Sequence, residues 1–90
     1  MAWAVFFAHE AQKNLKKVPA FVIEKTKAAT LEIAQAQFSA GKPLRGELKG
    51  YFSFRIGDYR LVYVLNKKKR QVYVLYVTSA WSVSLIVKGW

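Results

Sequence analysis

Between Tyr51 and Leu65 the chain spells out a β-hairpin. Phe52, Phe54 and Ile56 fall on one parity and Tyr51, Ser53 and Arg55 on the other, the period of two that a half-buried strand requires. Gly57-Asp58 interrupts the alternation, and a second strand-like run, Tyr59–Leu65, follows. A two-residue loop with glycine first predicts a type II′ turn, because glycine takes the positive φ without steric cost. That turn fixes the register. Ile56 faces Tyr59, Arg55 faces Arg60, Phe54 faces Leu61, Ser53 faces Val62 and Phe52 faces Tyr63.

The register sorts the side chains. Phe52, Phe54, Ile56, Tyr59, Leu61 and Tyr63 share the face that meets the core. The opposite face sets Arg55 directly across from Arg60. Like charges directly opposite destabilise a sheet, and a broken local rule is a mark of function. Two guanidinium forks side by side suit a phosphate. The competing reading has both arginines solvated on an exposed face, with Asp58 or Glu47 neutralising one of them.

Ninety residues predict one small domain spanning 1–90. At 53% hydrophobic and 16% aromatic the chain can bury a core without disulfides, which the lack of cysteine excludes together with thiolate metal sites. MAWAVFFAHE is apolar but short, with no basic leader and no small-residue cleavage pattern. No stretch reaches the roughly 20 apolar residues of a membrane span. The expectation is a soluble intracellular, cytoplasmic protein with no membrane partner. Fifteen Lys and Arg against 5 Asp and Glu leave a net charge of +10, which predicts affinity for polyanions: nucleic acid, an acidic protein or an anionic surface.

In chain order, Trp3–Phe7 reads as a short strand buried on both faces. Ala8–Val18 carries Ala8, Ala11, Leu15 and Val18 on one helical stripe. Pro19 ends that helix and opens a second, to about Ala40, whose inward stripe is Val22, Thr26, Ala29, Ile33 and Ala36, flanked by Phe21, Leu31 and Phe38. Gly41 is placed as its C-cap. Lys42–Gly50 is a basic linker, Asn66–Arg70 (NKKKR) a polar loop, and Gln71–Thr78 a third long strand. Ser79–Trp90 is read either as a last strand, through Val83, Leu85 and Val87, or as an apolar tail. The order β-α-α-β-β-β predicts an α+β fold, with two N-terminal helices packed on one face of a small antiparallel sheet. Arg55 and Arg60 fall on the face left free.

The chemistry available is narrow. His9 is the single histidine and has no second ligand at metal spacing, so neither a metal site nor any other cofactor is expected, and no nucleophile triad can be assembled. Glu10, Glu24 and Glu32 are read as solvated helix residues. Lysine, arginine and tyrosine remain, a set that still acts on RNA. Attack by a 2′-hydroxyl needs a base, cations to hold the charged phosphate, and an acid for the leaving oxygen. Arg55 and Arg60 supply cations. Lys42, Arg45 and Lys49 in the linker and Lys67, Lys68, Lys69 and Arg70 in the loop are candidates to grip the backbone, against the alternative of a solvated basic surface. Tyr51, on the Arg55 face, is a candidate to stack on a base.

The stretch Lys42–Leu65, KPLRGELKGYFSFRIGDYRLVYVL, resembles the signature of the RelE/ParE toxin superfamily of prokaryotic type II toxin–antitoxin modules. The resemblance extends to L-K-K-V-P at Leu15–Pro19, K-P-L-x-G at Lys42–Gly46 and R-I-G-D-Y-R-L-V-Y at Arg55–Tyr63. It implies a RelE-like fold and a cognate acidic, RelB-like antitoxin. It also implies one of two activities: ribosome-dependent mRNA cleavage by a RelE-like endoribonuclease (an mRNA interferase), or ParE-like inhibition of gyrase. By the same resemblance Arg60 contacts the scissile phosphate and Arg55 occupies a second catalytic position, with the ribosome and mRNA as partners. Ser53 stands where RelE-like members carry a basic residue. Thr78–Leu85 lacks the arginine and tyrosine expected after the last strand. That departure has three readings: a degenerate homologue that only binds antitoxin, a non-nuclease toxin, or a changed reading frame near residue 78.

Overall fold

The computed structural model describes residues 3–46 and 49–79. Its elements run β1 (Ala4–Phe7), α1 (His9–Leu15), α2 (Ala20–Gln35), β2 (Lys42–Pro43), β3 (Tyr51–Ile56), β4 (Tyr59–Asn66) and β5 (Gln71–Ser79). The strands form one sheet in the order β1-β5-β4-β3-β2. The hairpin has the register its turn dictates, from Ile56 opposite Tyr59 to Phe52 opposite Tyr63. Gly57 takes φ 58° while Asp58 stays at negative φ, which is the II′ pattern.

The sheet is mixed rather than antiparallel. β1 lies parallel to β5, with Ala4 beside Gln71 and Phe7 beside Val74. The helices intervene between β1 and the rest of the sheet, so no tight turn forces it antiparallel, and a parallel neighbour needs such a long connection. As the edge strand, β1 is not buried on both faces: Phe6 is 44% exposed.

Both helices pack on one sheet face. Val22, Thr26, Ala29 and Ile33 are buried as the 3.6-residue period requires, and the Thr26 hydroxyl is satisfied by donating to the Val22 carbonyl at 2.7 Å. Ala11 of α1 joins them against Ile56, Leu61, Tyr63, Val72, Val74 and Val77. Asn14 locks α1 to the sheet by accepting the Val77 N–H at 3.1 Å.

The helices are shorter than the apolar stripes suggest. α1 tightens after Leu15 through an i−3 bond from Lys16 N–H to the Lys13 carbonyl, and Pro19 holds extended backbone before α2. α2 ends at Gln35, where Ala36 leaves helical geometry at φ −136° and the Gln37 side chain takes the Ala34 carbonyl. Gly41 is therefore not the helix cap. Its N–H instead donates to the Tyr63 hydroxyl at 3.1 Å. Phe21, Leu31 and Phe38 are mostly exposed. Phe38 meets Trp3 and Phe52 edge-on, with Lys67 Nζ 5.4 Å from its ring centre.

The opposite face of the sheet is less open than expected, since Ser53 and Val62 are each only 5% exposed. They stand in one row between Lys42 and Tyr76, and short side chains between long ones are covered by their neighbours. The two readings of the final stretch fall outside the described residues from position 80 onward.

Candidate functional site

The II′ turn makes Ile56 and Tyr59 the hydrogen-bonded pair nearest the loop. Arg55 and Arg60 are then a non-hydrogen-bonded pair, the kind whose side chains stand closest, at about 4.5 Å between Cα atoms. The two guanidinium groups diverge in their contacts. Arg55 Nε donates to the Gly57 carbonyl at 3.1 Å, and Arg60 Nη1 donates to Ser53 Oγ at 3.4 Å. Among the described residues no carboxylate lies within ion-pair distance of either. Asp58 therefore does not neutralise the pair, and Glu47 lies outside the described residues. The ion pair that does form, Lys27–Glu24 at 3.4 Å, is an exposed one along α2.

Both arginines open into a cleft of about 280 Å³ at the β2–β3 edge, which Lys42 and Ser53 also line, with Phe54 and Ala40 as apolar wall and Glu32 of α2 opposite. Lys42 reaches it because β2 pairs Lys42 with Ser53, putting both on the parity of Arg55. Beyond Ser53, β3 has no partner on that side among the described residues, and a second groove of about 440 Å³ continues between its edge and Lys25, Ala28 and Ala29 of α2. Cations, a short hydroxyl and an accessible edge suit a phosphate-bearing anion.

The remaining candidates are elsewhere. Tyr51 shares the strand parity of Arg55 but lies roughly 13 Å along β3, at about 3.4 Å per residue. Arg45 and Lys49 lie in the β2–β3 connection at that far end. Lys67, Lys68, Lys69 and Arg70 form the β4–β5 loop at the same end, roughly 20 Å from Arg60 along β4. The structure thus gathers Lys42, Arg55 and Arg60 and leaves Arg45, Lys49, Tyr51 and the 67–70 loop outside the cleft. Within that loop Asn66 Oδ1 accepts the Lys69 N–H at 3.2 Å, and Arg70 adopts a left-handed φ of 53°.

Glu32 is the residue sequence reasoning missed. Its helical context predicts a solvated position, and it is exposed, yet it forms the helical wall of the cleft. The available signal was its helical flank: Glu32 follows Lys25 and Ala28 at spacings of seven and four, beside small residues that let β3 approach. His9 opens α1 on an exposed position. Among the described residues no three His, Cys, Asp or Glu side chains come together as a metal site would require, and no helix is long and apolar enough to cross a membrane.

Residues 5–80 match the family described as ParE toxin of type II toxin-antitoxin system, parDE. The toxin RelG of Mycobacterium tuberculosis is 38% identical over 82 residues, covering 86% of this chain and 90% of that protein. Among solved structures, the toxin–antitoxin complex RelBE2 of M. tuberculosis superposes with a TM-score of 0.82 at 31% identity, covering 88% of this chain and 99% of its counterpart. An arginine double mutant of E. coli RelE in the free state gives 0.81 at 27% identity, covering 97% and 93%. The match across the helices, the hairpin and β5 establishes that the chain belongs to the RelE/ParE superfamily of type II toxin–antitoxin toxins.

Proposed function

We propose that this toxin inhibits translation by cleaving mRNA on the ribosome, and that a RelB-like antitoxin of acidic character holds it inactive until release. The observation that supports this most directly is the cross-strand pair Arg55–Arg60, unneutralised among the described residues and opening with Lys42 into one cleft. In the reaction the 2′-oxygen of the RNA loses its proton and bonds to phosphorus. The bond from phosphorus to the 5′-oxygen breaks, and that oxygen takes up a proton. Charge builds on the non-bridging oxygens as the new bond forms, where preorganised cations are most effective. The cleft supplies those cations. The basic 67–70 loop, Arg45, Lys49 and Tyr51 lie at the far end of the same sheet, where they would contact flanking backbone and bases.

The antitoxin assignment draws on the structural relatives, of which RelBE2 is a toxin–antitoxin complex. It is favoured by a net charge of +10, which attracts an acidic partner. Such a target places the protein in the cytoplasm.

The test is an in vitro translation reaction with the purified full chain. Cleaved mRNA and halted synthesis with wild type, and their loss with Arg60→Ala, are expected. Intact mRNA with wild type rejects the nuclease reading. A second reading, inhibition of gyrase, is favoured by one observation: Thr78–Leu85 offers no arginine or tyrosine to complete an acid–base set. A supercoiling assay decides for it if relaxed plasmid accumulates while translation proceeds.

A further inference from the structure

We propose that Lys42 is the third ligand of the phosphate held between Arg55 and Arg60, rather than one grip among several on flanking backbone. The inference rests on the phosphodiester reading above and assigns the cleft its full charge.

Lys42 sits on a strand of only two residues, an arrangement with little packing of its own. It is pinned from both sides nonetheless. Gly41 N–H donates to the buried Tyr63 hydroxyl at 3.1 Å immediately before it. Leu44 N–H donates to the Tyr51 carbonyl at 2.8 Å shortly after. The Cα of residue 42 is therefore fixed relative to the core while its side chain is free to extend. Pairing with Ser53 puts that side chain on the same face as Arg55. Ser53 is short, and its hydroxyl already accepts from Arg60. The space above it is thus approached by Arg60 from β4 and by Lys42 from β2.

Charge points the same way. Lys42, Arg55 and Arg60 against Glu32 leave the cleft a net charge of +2. A phosphodiester carries a single negative charge, and the five-coordinate phosphorus formed by 2′-oxygen attack carries two. A cleft with three cations and one opposing carboxylate stabilises the second species more than the first, and that difference is what accelerates a reaction. With the arginines alone the same cleft would carry +1, matched to the bound substrate instead. Among the described residues no other Lys or Arg lines it.

The test titrates inorganic pyrophosphate into the full-length protein at low salt, with affinity read by calorimetry. Lys42→Met keeps the aliphatic stem and removes the charge. Lys42→Arg keeps the charge. Lys13→Met, on the exposed surface of α1, removes a lysine remote from the cleft. Position 42 is exposed, and thermal melts verify that each variant is folded. Lys42→Met is expected to weaken binding about tenfold, the size of a lost charge-assisted hydrogen bond. Lys42→Arg should recover affinity to within about threefold of wild type, and Lys13→Met should change it less than about twofold. Equal effects of Lys42→Met and Lys13→Met, with binding lost in Arg60→Ala, would overturn the role of Lys42 and leave the arginine cleft standing. No effect of Arg60→Ala would overturn both.

Discussion

Gly41 donates its N–H to the Tyr63 hydroxyl at 3.1 Å, and a Cβ built at position 41 would stand 2.7 Å from that oxygen and 3.0 Å from the Ser53 carbonyl. The contact ties the first residue before β2 to the most buried ring in the sheet. Position 41 has no positive φ, so glycine is required there by proximity and not by backbone conformation. Gly41→Ala is expected to destabilise the protein by about 1–3 kcal/mol, the usual cost of overpacking, because one of the opposing atoms is backbone and cannot swing away. Urea denaturation measures it. The same substitution should weaken pyrophosphate binding, since Lys42 follows directly.

Tyr63 is fully buried and uses its hydroxyl twice, accepting from Gly41 and donating to the Gln37 carbonyl at 3.0 Å. Tyr63→Phe takes that partner from the buried Gly41 N–H and the half-buried Gln37 carbonyl and is expected to cost about 1–3 kcal/mol. Burial raises the Tyr63 pKa above 10.0, while the Gly41 hydrogen bond opposes the shift. Below pH 10 the ring is neutral in both folded and unfolded chains, and its contribution to stability is intact. Above that, the unfolded chain loses its proton first, so stability falls as pH rises through the folded value. Wild type should therefore lose stability above about pH 10 more steeply than Tyr63→Phe. The two proteins are otherwise identical, so the difference between their urea midpoints isolates Tyr63.

The two residues also show what a sequence can and cannot reveal. The hairpin was legible because its information is local: a period of two on each side of Gly57-Asp58 leaves one register. The α2 stripe was legible for the same reason. Gly41 is not legible in the same way, because a glycine after a helical run is ordinarily a cap, and the partner that claims it is Tyr63, brought near only by the fold. The parallel pairing of Ala4 with Gln71 had no local signal at all. The candidate site divides likewise. Arg55–Arg60 follows from the turn. Lys42 and Glu32 join them through a two-residue strand and a helix flank, which only the assembled sheet brings together.

Glu32 faces three cations across the cleft. Removing its charge strengthens the local positive field, so Glu32→Gln is expected to bind single-stranded RNA roughly threefold to tenfold more tightly at low salt, about 1 kcal/mol across a solvated cleft. The gain should shrink as salt approaches physiological strength. Anisotropy titrations at two salt concentrations check this. Parallel cleavage assays carry further information. Tighter binding with slower cleavage would mark Glu32 as a group that takes the 2′-hydroxyl proton. Tighter binding with unchanged cleavage marks it as a charge balance alone.

Arg70 holds φ 53°, a conformation that costs an L side chain about 1 kcal/mol or more and glycine almost nothing. Its carbonyl accepts the Ala4 N–H at 3.2 Å, fixing the edge strand to the loop, and glycine retains that bond. Arg70→Gly is expected to raise the urea midpoint by an amount equivalent to roughly 0.5–1 kcal/mol. If the loop grips RNA, the same variant binds RNA more weakly, while Arg70→Lys, which keeps both charge and strain, changes neither measurement.

The facing arginines make a last prediction, about the cost of holding a phosphate site ready. Directly opposed like charges on a non-hydrogen-bonded pair destabilise a sheet by about 0.2–1 kcal/mol. Replacing Arg55 by Thr, a good strand former, relieves that repulsion but also removes the exposed bond from Arg55 Nε to the Gly57 carbonyl. Stability in one buffer therefore mixes two effects, and salt separates them. Repulsion is screened as ionic strength rises, whereas a hydrogen bond to a carbonyl is much less affected. The stability of Arg55→Thr relative to wild type should be highest at low salt and fall by a few tenths of a kcal/mol as sodium chloride is raised to about 0.5 M. Pyrophosphate should act on wild type in the same direction and more strongly, because it binds the folded pair and stabilises it by mass action, and should act weakly on the variant. A relative stability independent of both salt and pyrophosphate would mean that the arginines neither repel nor share an anion, which removes the electrostatic basis of the cleft.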